Sequence, residues 1–222
     1  MDPVKKLFPL MQFWSDLSSR TPAGQMACDE ALLRLAGLPV LRLYRWSAPA
    51  VTFGYAQRLS VVRSIVGDRP LMRRWSGGGV VDHGSDLTLA LAIPSSSEVA
   101  RGGSSGIYRA IHEALLGAIR SAVPGARLVT PEECRCGAVC FQSPVQCDIV
   151  AGAVKLCGGA LRRSREGVLY QGSLVIENPP EQNIPASLSE VCSVFQNTAP
   201  VECEARRLEV EKYSLPGWVD LR

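Results

Sequence analysis

The sequence predicts an α+β protein, a mixed and mostly antiparallel sheet with helices packed on it. Three observations lead there. Strand-like runs outnumber helical ones, many of them follow each other across hairpin-sized turns, and the helical segments carry one apolar stripe each. The 222 residues read as one domain spanning 1–222, and a hydrophobic share of 46% beside 20% charged residues suits a chain with its own core.

The elements follow in order. Residues 11–17 read as an edge strand or arm. Thr21-Pro22 starts a helix, with Thr21 as N-cap and Pro22 at the first helical position, and Gly37 and Pro39 end it near residue 36. On that helix Met26, Leu32 and Leu35 are expected inward and Asp29, Glu30 and Arg34 outward, which makes it a packing helix without chemistry. Strands are expected at 41–46, 51–55, 71–75 and 87–93; Gly54, inside the second, points to a bulge or a close approach. Ile107, Ile111, Leu115 and Ile119 mark one face of a helix that stops at Pro124-Gly125, with His112 on its solvated side. A short strand near 127–130 precedes a Cys-rich loop at 132–144. Residues 148–151 and 154–158 form a hairpin across Gly152-Ala153, 162–167 a basic turn and 168–177 a long strand. A short helix is expected at 188–196, then a tail with room for a last strand.

Composition excludes several classes. A net charge of +3 is too small to argue for nucleic acid. No run approaches the ~20 apolar residues of a membrane span, and the first ten residues lack the apolar core of a secretory signal. The eight cysteines are therefore expected as reduced thiols in a cytoplasmic protein. Zinc ribbons need two C-x₂₋₄-C pairs, whereas here a C-x-C and a C-x₃-C share Cys136, so no metal is expected.

Chemistry concentrates in two stretches. The first runs Arg73-Arg74-Trp75-Ser76-Gly77-Gly78-Gly79-Val80-Val81-Asp82-His83-Gly84. Three consecutive glycines suit neither strand nor helix interior. They suit a sharp hairpin with a solvated basic flank, or a backbone that approaches a ligand and presents its N–H groups, with Arg73 and Arg74 adding charge. The spacing matches neither G-x-G-x-x-G nor a P-loop. The second stretch holds Asp148, Lys155, Gly158 and Ala160, then Gln171-Gly172-Ser173. A lysine between Val154 and Leu156 either sits on the exposed face or aims its ammonium at an oxygen where charge develops. Cys140, fifteen residues upstream, is either an inert thiol or a nucleophile whose thiolate a nearby cation favours.

Together, R-R-x-S-G-G-G-x-V-x-H at 73–83, D-[IL]-V-x-x-x-x-K-[IVL]-x-G-x-A at 148–160, the Q-G-S strand at 171–173 and the segment 25–32 resemble the biotin/lipoate A/B protein ligase superfamily. This family contains lipoate–protein ligases, octanoyl- and lipoyltransferases and, more distantly, biotin–protein ligases; the similarity runs from about 24 to about 176. The resemblance implies the biotin/lipoate ligase catalytic fold, related to class II synthetases, with Lys155 and Cys140 as catalytic residues. It implies substrate contacts from Arg73, Ser76, Gly77, Gly78, Gly79, His83, Gly158 and Ala160. His83 either contacts the acyl carbonyl region or makes a structural hydrogen bond. In another branch the nucleophile lies after the lysine, and Cys192 is the nearest candidate. Arg162, Arg163 and Arg165 form a solvated turn, a patch for acidic partners or a phosphate clamp.

The implied function is transfer of an octanoyl or lipoyl group to a lysine of lipoyl-domain proteins, such as 2-oxoacid dehydrogenase subunits or glycine cleavage H protein. In the preferred route Cys140 accepts the acyl group from octanoyl–acyl carrier protein and no cofactor is required. The alternative is an ATP- and Mg-dependent lipoate–protein ligase acting through an acyl-adenylate; a third, of another class, is a non-catalytic binder of acyl groups or lipoyl domains. Ligases usually read H-[DE]-x-x-N after the glycines, whereas this chain reads His83-Gly84-Ser85-Asp86-Leu87, and it has no room for the accessory C-terminal domain many ligases carry. Both favour transfer. Biotin is disfavoured because G-R-G-R-x-G is absent.

Overall fold

Thr21 accepts a hydrogen bond from Gly24 N at 2.9 Å, and Pro22 opens helix α1 (Pro22–Leu35) as the sequence requires. α1 is a crossover between two parallel strands, β1 (Phe8–Asp16) and β2 (Val40–Tyr44), because such strands cannot be joined by a tight turn. The computed structural model describes residues 6–134 and 144–221. Its large sheet has the order β11-β1-β2-β6-β10-β9-β8-β7, with β6 (Leu87–Pro94), β7 (Ala126–Leu128), β8 (Ile149–Ala151), β9 (Val154–Arg163), β10 (Gly167–Leu174) and β11 (Ser189–Val194). β11, β1 and β2 run parallel; every other neighbouring pair is antiparallel. A smaller sheet, β4-β3-β5, combines β3 (Ala50–Phe53), β4 (Leu71–Arg73) and β5 (Val81–His83).

β6 shows how the two-residue period of a strand builds both layers of the core. Leu87, Leu89, Leu91 and Ile93 face helix α3 (Ser104–Ile119), where Ile107, Ile111, Leu115 and Ile119 meet them. Ala90 and Ala92 face the other way, and their small side chains lie in the cluster that holds Met26, Ala27, Ala31 and Leu32 of α1. Central strands covered on both faces are buried throughout, as β2, β6 and β10 are.

The α+β expectation holds, and several details differ. α1 ends close to its expected boundary, but Asp29 and Glu30 are fully buried while Leu35 is exposed. Helix α5 (Thr198–Leu208) lies over α1 through Val201, Ala205 and Leu208, so the expected outer face is an interface. Glu30 is satisfied there by Arg34 and by Lys212 Nζ and Tyr213 Oη, each at 2.5 Å. His112 is likewise buried rather than solvated. Residues 188–196, expected as a helix, contain β11: Leu188, Val191 and Phe195 have helical spacing, but the free edge of β1 supplies a strand partner for 189–194. A short helix, α4 (Asn183–Leu188), comes just before it. The tail carries α5 and a short α6 (Pro216–Val219), not a last strand. Helix α2 (Leu59–Val66) and strand β5 were not expected, each being too short for its pattern to stand out. β9 runs on to Arg163, through the first part of the expected basic turn.

Among the described residues no helix is long and apolar enough to cross a membrane.

Candidate active site

The glycine run lies between β4 and β5 as a loop held from three sides. Tyr55 N donates to Ser76 O at 2.9 Å and Arg74 N to Phe53 O at 2.8 Å, so the loop's start is pinned to the end of β3. Gly78 has φ +84°, a conformation glycine adopts without strain. Gly54, just past the end of β3, is the close approach expected from the sequence: a Cβ there would overlap the Gly78 carbonyl oxygen and lie 2.9 Å from Gly77 C. Arg74 closes the loop from inside, donating through Nη2 to Gly77 O (2.9 Å) and Gly79 O (2.8 Å) and through Nη1 to Thr52 Oγ1 (2.7 Å).

Beneath this loop is a narrow apolar slot of about 30 Å³. Met26, Trp46 and Val81 supply apolar wall, and Gly158, Gly159 and Ala160 of β9 face Gln171, Gly172 and Ser173 of β10. Wherever a polar side chain meets the slot, a buried network satisfies it. On one side Ser76 Oγ donates to Gln171 Oε1 (2.6 Å), and Gln171 Nε2 donates to Asp29 Oδ2 (2.8 Å). Asp29 also accepts from Arg42 Nη1 (2.5 Å) and Tyr44 Oη (3.1 Å), and Arg42 Nε donates to Asp16 Oδ2 (2.8 Å). On the other side His83 Nδ1 meets Asp86 Oδ2 (2.9 Å), which also accepts from Ser173 Oγ (2.7 Å) and Thr88 Oγ1 (2.9 Å). Thr52 Oγ1 accepts from Arg74 and lies 2.8 Å from His83 Nε2. Burial would raise the Asp86 carboxyl, but the hydrogen bonds from His83, Ser173 and Thr88 outweigh it and hold it below the usual aspartate value. Trp46 stacks on His83 with ring centres 4.3 Å apart.

At Gly159 and Ala160 the slot meets an open groove of about 640 Å³. Gly77 and Gly78 form one bank, Tyr108 and the start of α3 another, and residues 145–147 a third. Lys155 lies on β9 beside Gly158, which lines the slot. Its Nζ pairs with Asp148 Oδ2 at 2.7 Å in a nearly solvent-free setting. A Cβ at 158 would lie 2.5 Å from that Nζ, so only glycine leaves room for the side chain to lie along the strand. The arrangement puts a fixed ammonium, a glycine-lined backbone and an apolar slot side by side, which suits an acyl carbonyl whose oxygen gains negative charge.

The structure places His83, Gly158 and Ala160 on the slot and Gly77, Gly78 and Ala160 on the groove; Ser76 bonds Gln171 of the slot wall, and Lys155 packs against Gly158, though neither of these two lines a cavity. Gly79 contributes its carbonyl to Arg74 and lines neither cavity. Arg73 points away: its guanidinium donates to the carbonyls of Tyr55, Gln57, Trp218 and Val219, and Trp218 Nε1 returns a bond to Arg73 O at 2.9 Å. Cys140 lies outside the described residues. Cys192 sits on edge strand β11 and lines neither cavity, and burial raises its thiol. Cys157 lies close to the lysine, but burial pushes its thiol up to about 12, which leaves it inert. Of the basic turn, Arg162 lies over Tyr55 and Trp75, Arg163 donates to Ala100 O at 2.9 Å, and Arg165 is exposed beside Glu166. Among the described residues no group of His, Cys, Asp and Glu could hold a metal ion.

The sequence pattern passed over Asp29, Arg42, Thr52, Tyr108 and His112. An Asp-Glu pair in a helix of small and apolar residues was the available signal for the first, since such a pair is buried only when partnered.

Comparisons with known proteins agree with this geometry. Residues 21–203 match the family model described as the lipoyl protein ligase A/B catalytic domain. Octanoyltransferase LipM of Kyrpidia tusciae is 31% identical over 188 residues, covering 77% of this chain and 69% of that protein. The LipM of Staphylococcus aureus is 32% identical over 177 residues, covering 71% and 63%. The chain therefore spans about two thirds of the length of these curated relatives. In fold it is similar to a lipoate-protein ligase A bound with ATP, at a TM-score of 0.75 and 22% identity over 95% of this chain and 99% of that one. It is also similar to Ta0514 with bound lipoic acid, a lipoate ligase candidate of Thermoplasma acidophilum, at 0.73 and 19% over 95% and 98%. With residues 21–203, more than half the chain, inside the matched region, the protein belongs to the lipoyl protein ligase A/B catalytic domain family.

Proposed function

We propose that this protein is an enzyme of protein lipoylation that transfers an octanoyl group, or a lipoyl group, to a lysine of a lipoyl-domain protein. One observation carries the reading: the apolar slot meets the groove bordered by Gly77 and Gly78 at Gly159 and Ala160, and Lys155 packs beside Gly158 of the slot wall, so a linear acyl chain entering there has its carbonyl near a fixed ammonium. The relatives named octanoyltransferase at 31% and 32% identity support transfer over ligation.

In the preferred route the Cys140 thiolate attacks the thioester carbonyl of octanoyl–acyl carrier protein. A new C–S bond forms, the carrier's thiolate leaves, and it takes up the proton Cys140 gave up. The loop backbone and Lys155 stabilise the oxyanion, and the acceptor's ε-amine then attacks the acyl-enzyme, forming the amide and freeing the thiol. At a reference pKa of about 10.4, only about a few in ten thousand of such amines are neutral at pH 7, so positioning must be joined by deprotonation. Acceptors are lipoyl domains of 2-oxoacid dehydrogenase subunits or glycine cleavage H protein.

Intact-mass measurement after incubation with octanoyl–acyl carrier protein, without ATP, tests this. An octanoyl adduct that disappears in Cys140→Ser supports it. No adduct, but modification of a lipoyl domain given ATP, Mg and free octanoate or lipoate, replaces transfer by ligation through an adenylate. Failure of both, with measurable acyl or lipoyl-domain binding, leaves a binding protein.

A further inference from the structure

Lys155 is held in place by a second layer of side chains that no part of the proposed chemistry uses. Asp148 is fully buried and accepts three bonds besides any to water: Lys155 Nζ at 2.7 Å and Val145 N at 2.7 Å on Oδ2, and Tyr108 Oη at 2.5 Å on Oδ1. The Tyr108 hydroxyl in turn accepts from Gly159 N at 3.0 Å. That N–H is available for a simple topological reason. β8 is three residues long and pairs with β9 only as far as Cys157, so among the described residues the β9 backbone beyond it has no strand partner on that edge.

The tyrosine is itself immobilised. Its ring stacks on His112 with centres 4.1 Å apart, and His112 Nε2 is 2.9 Å from Tyr170 Oη. His112 is fully buried, its Nδ1 has no hydrogen-bond partner among the described residues, and burial together with Lys155 lowers its pKa to about 3. A neutral imidazole next to an ammonium adds no repulsion, and it gives Tyr108 a flat, rigid backing. Tyr108 also lines the groove, at the place where the slot opens into it.

We propose that Tyr108 is a positioning residue for Lys155: by bridging Asp148 Oδ1 and the Gly159 N–H, it fixes the carboxylate that holds the Lys155 ammonium beside Gly158 of the slot wall. The inference rests on the reading of Lys155 as the cation at the acyl carbonyl. It adds that this cation's direction is set from helix α3, through one hydroxyl.

The test is Tyr108→Phe, which keeps the ring on His112 and removes only the bridge. Turnover in octanoyl transfer to a lipoyl domain is expected to fall about tenfold to a hundredfold, as for loss of a hydrogen bond to a charged group, with the KM for the acyl donor within about twofold. Protein labelled with ¹⁵N-lysine supplies a readout independent of activity, because the sequence has four lysines, Lys5, Lys6, Lys155 and Lys212, and Lys155→Arg assigns the signal. The Lys155 ¹⁵Nζ resonance is expected to move in Tyr108→Phe while the other three stay in place. Turnover and resonance both like wild type overturn the inference. So does a drop in thermal stability and turnover with the Lys155 resonance unmoved, which marks a merely structural tyrosine. If the wild-type protein neither transfers nor ligates, the proposed function fails, and the resonance alone decides whether Tyr108 positions the lysine.

Discussion

Gly54 and Gly78 touch backbone to backbone, with no space between them for a single methyl group. Gly54→Ala must therefore push the glycine loop away from the end of β3. Overpacking of this kind costs about 1–3 kcal/mol. The displacement acts where Gly78 borders the groove. Acyl transfer is expected to fall by more than the stability loss explains, with most of the protein still folded at assay temperature. Steady-state kinetics beside a thermal melt checks this; a lower melting point with unchanged kcat/KM contradicts it.

Lys155 and Asp148 form a buried pair, so removing either charge alone leaves the other uncompensated at a cost of about 3–5 kcal/mol. Lys155→Met should lose that stability and also about a hundredfold to a thousandfold in turnover, the scale of one oxyanion-stabilising group. Adding Asp148→Asn should recover most of the stability and none of the turnover. Denaturant melts and transfer rates on both variants separate the two roles; a double variant that regains activity removes Lys155 from the chemistry.

His112 makes stability depend on pH. Its pKa falls from 6.5 to about 3 in the fold, so between those values the unfolded chain binds a proton that the folded chain does not. Stability then rises with pH: the contribution is complete above about 6.5 and is lost as pH falls below it, with a slope approaching ~1.4 kcal/mol per pH unit. Unfolding free energies measured from about pH 8 down to about pH 4 should show this fall in wild type and a shallower one in His112→Gln. Parallel curves for the two proteins assign the pH dependence elsewhere.

Gln171 ties the glycine loop to the buried Asp29–Arg42 pair, accepting from Ser76 and donating to Asp29. Gln171→Leu leaves the Ser76 hydroxyl without its acceptor and Asp29 short of a donor, at about 1–3 kcal/mol for each group left unsatisfied. The effect on function should appear chiefly as a higher KM for the acyl donor, because the slot wall and the loop anchor loosen together. A variant with wild-type KM and wild-type melting temperature shows the link to be dispensable.

Local rules carried much of this protein. The Thr21-Pro22 cap, the two-residue alternation of Leu and Ala in β6 and the turn at Gly152, where φ is +57°, depend on neighbours in the chain, so 222 residues read in order disclose them. The glycine run and Lys155 were legible for the same reason: each breaks the pattern of the segment that holds it. Tertiary structure alone decided which charges are buried. Asp29 and Glu30 look like the outer face of a helix, but Asp29 turns to Arg42, Tyr44 and Gln171 of the sheet and Glu30 is covered by the segment around Lys212. Likewise, Arg73 and Arg74 are adjacent in sequence, but one grips the C-terminal segment while the other grips the glycine loop. A buried charge is stable only with a partner, and here Arg42 for Asp29 and Tyr108 for Asp148 come from elements distant in sequence; no local pattern encodes those two pairings, because the fold itself brings them together.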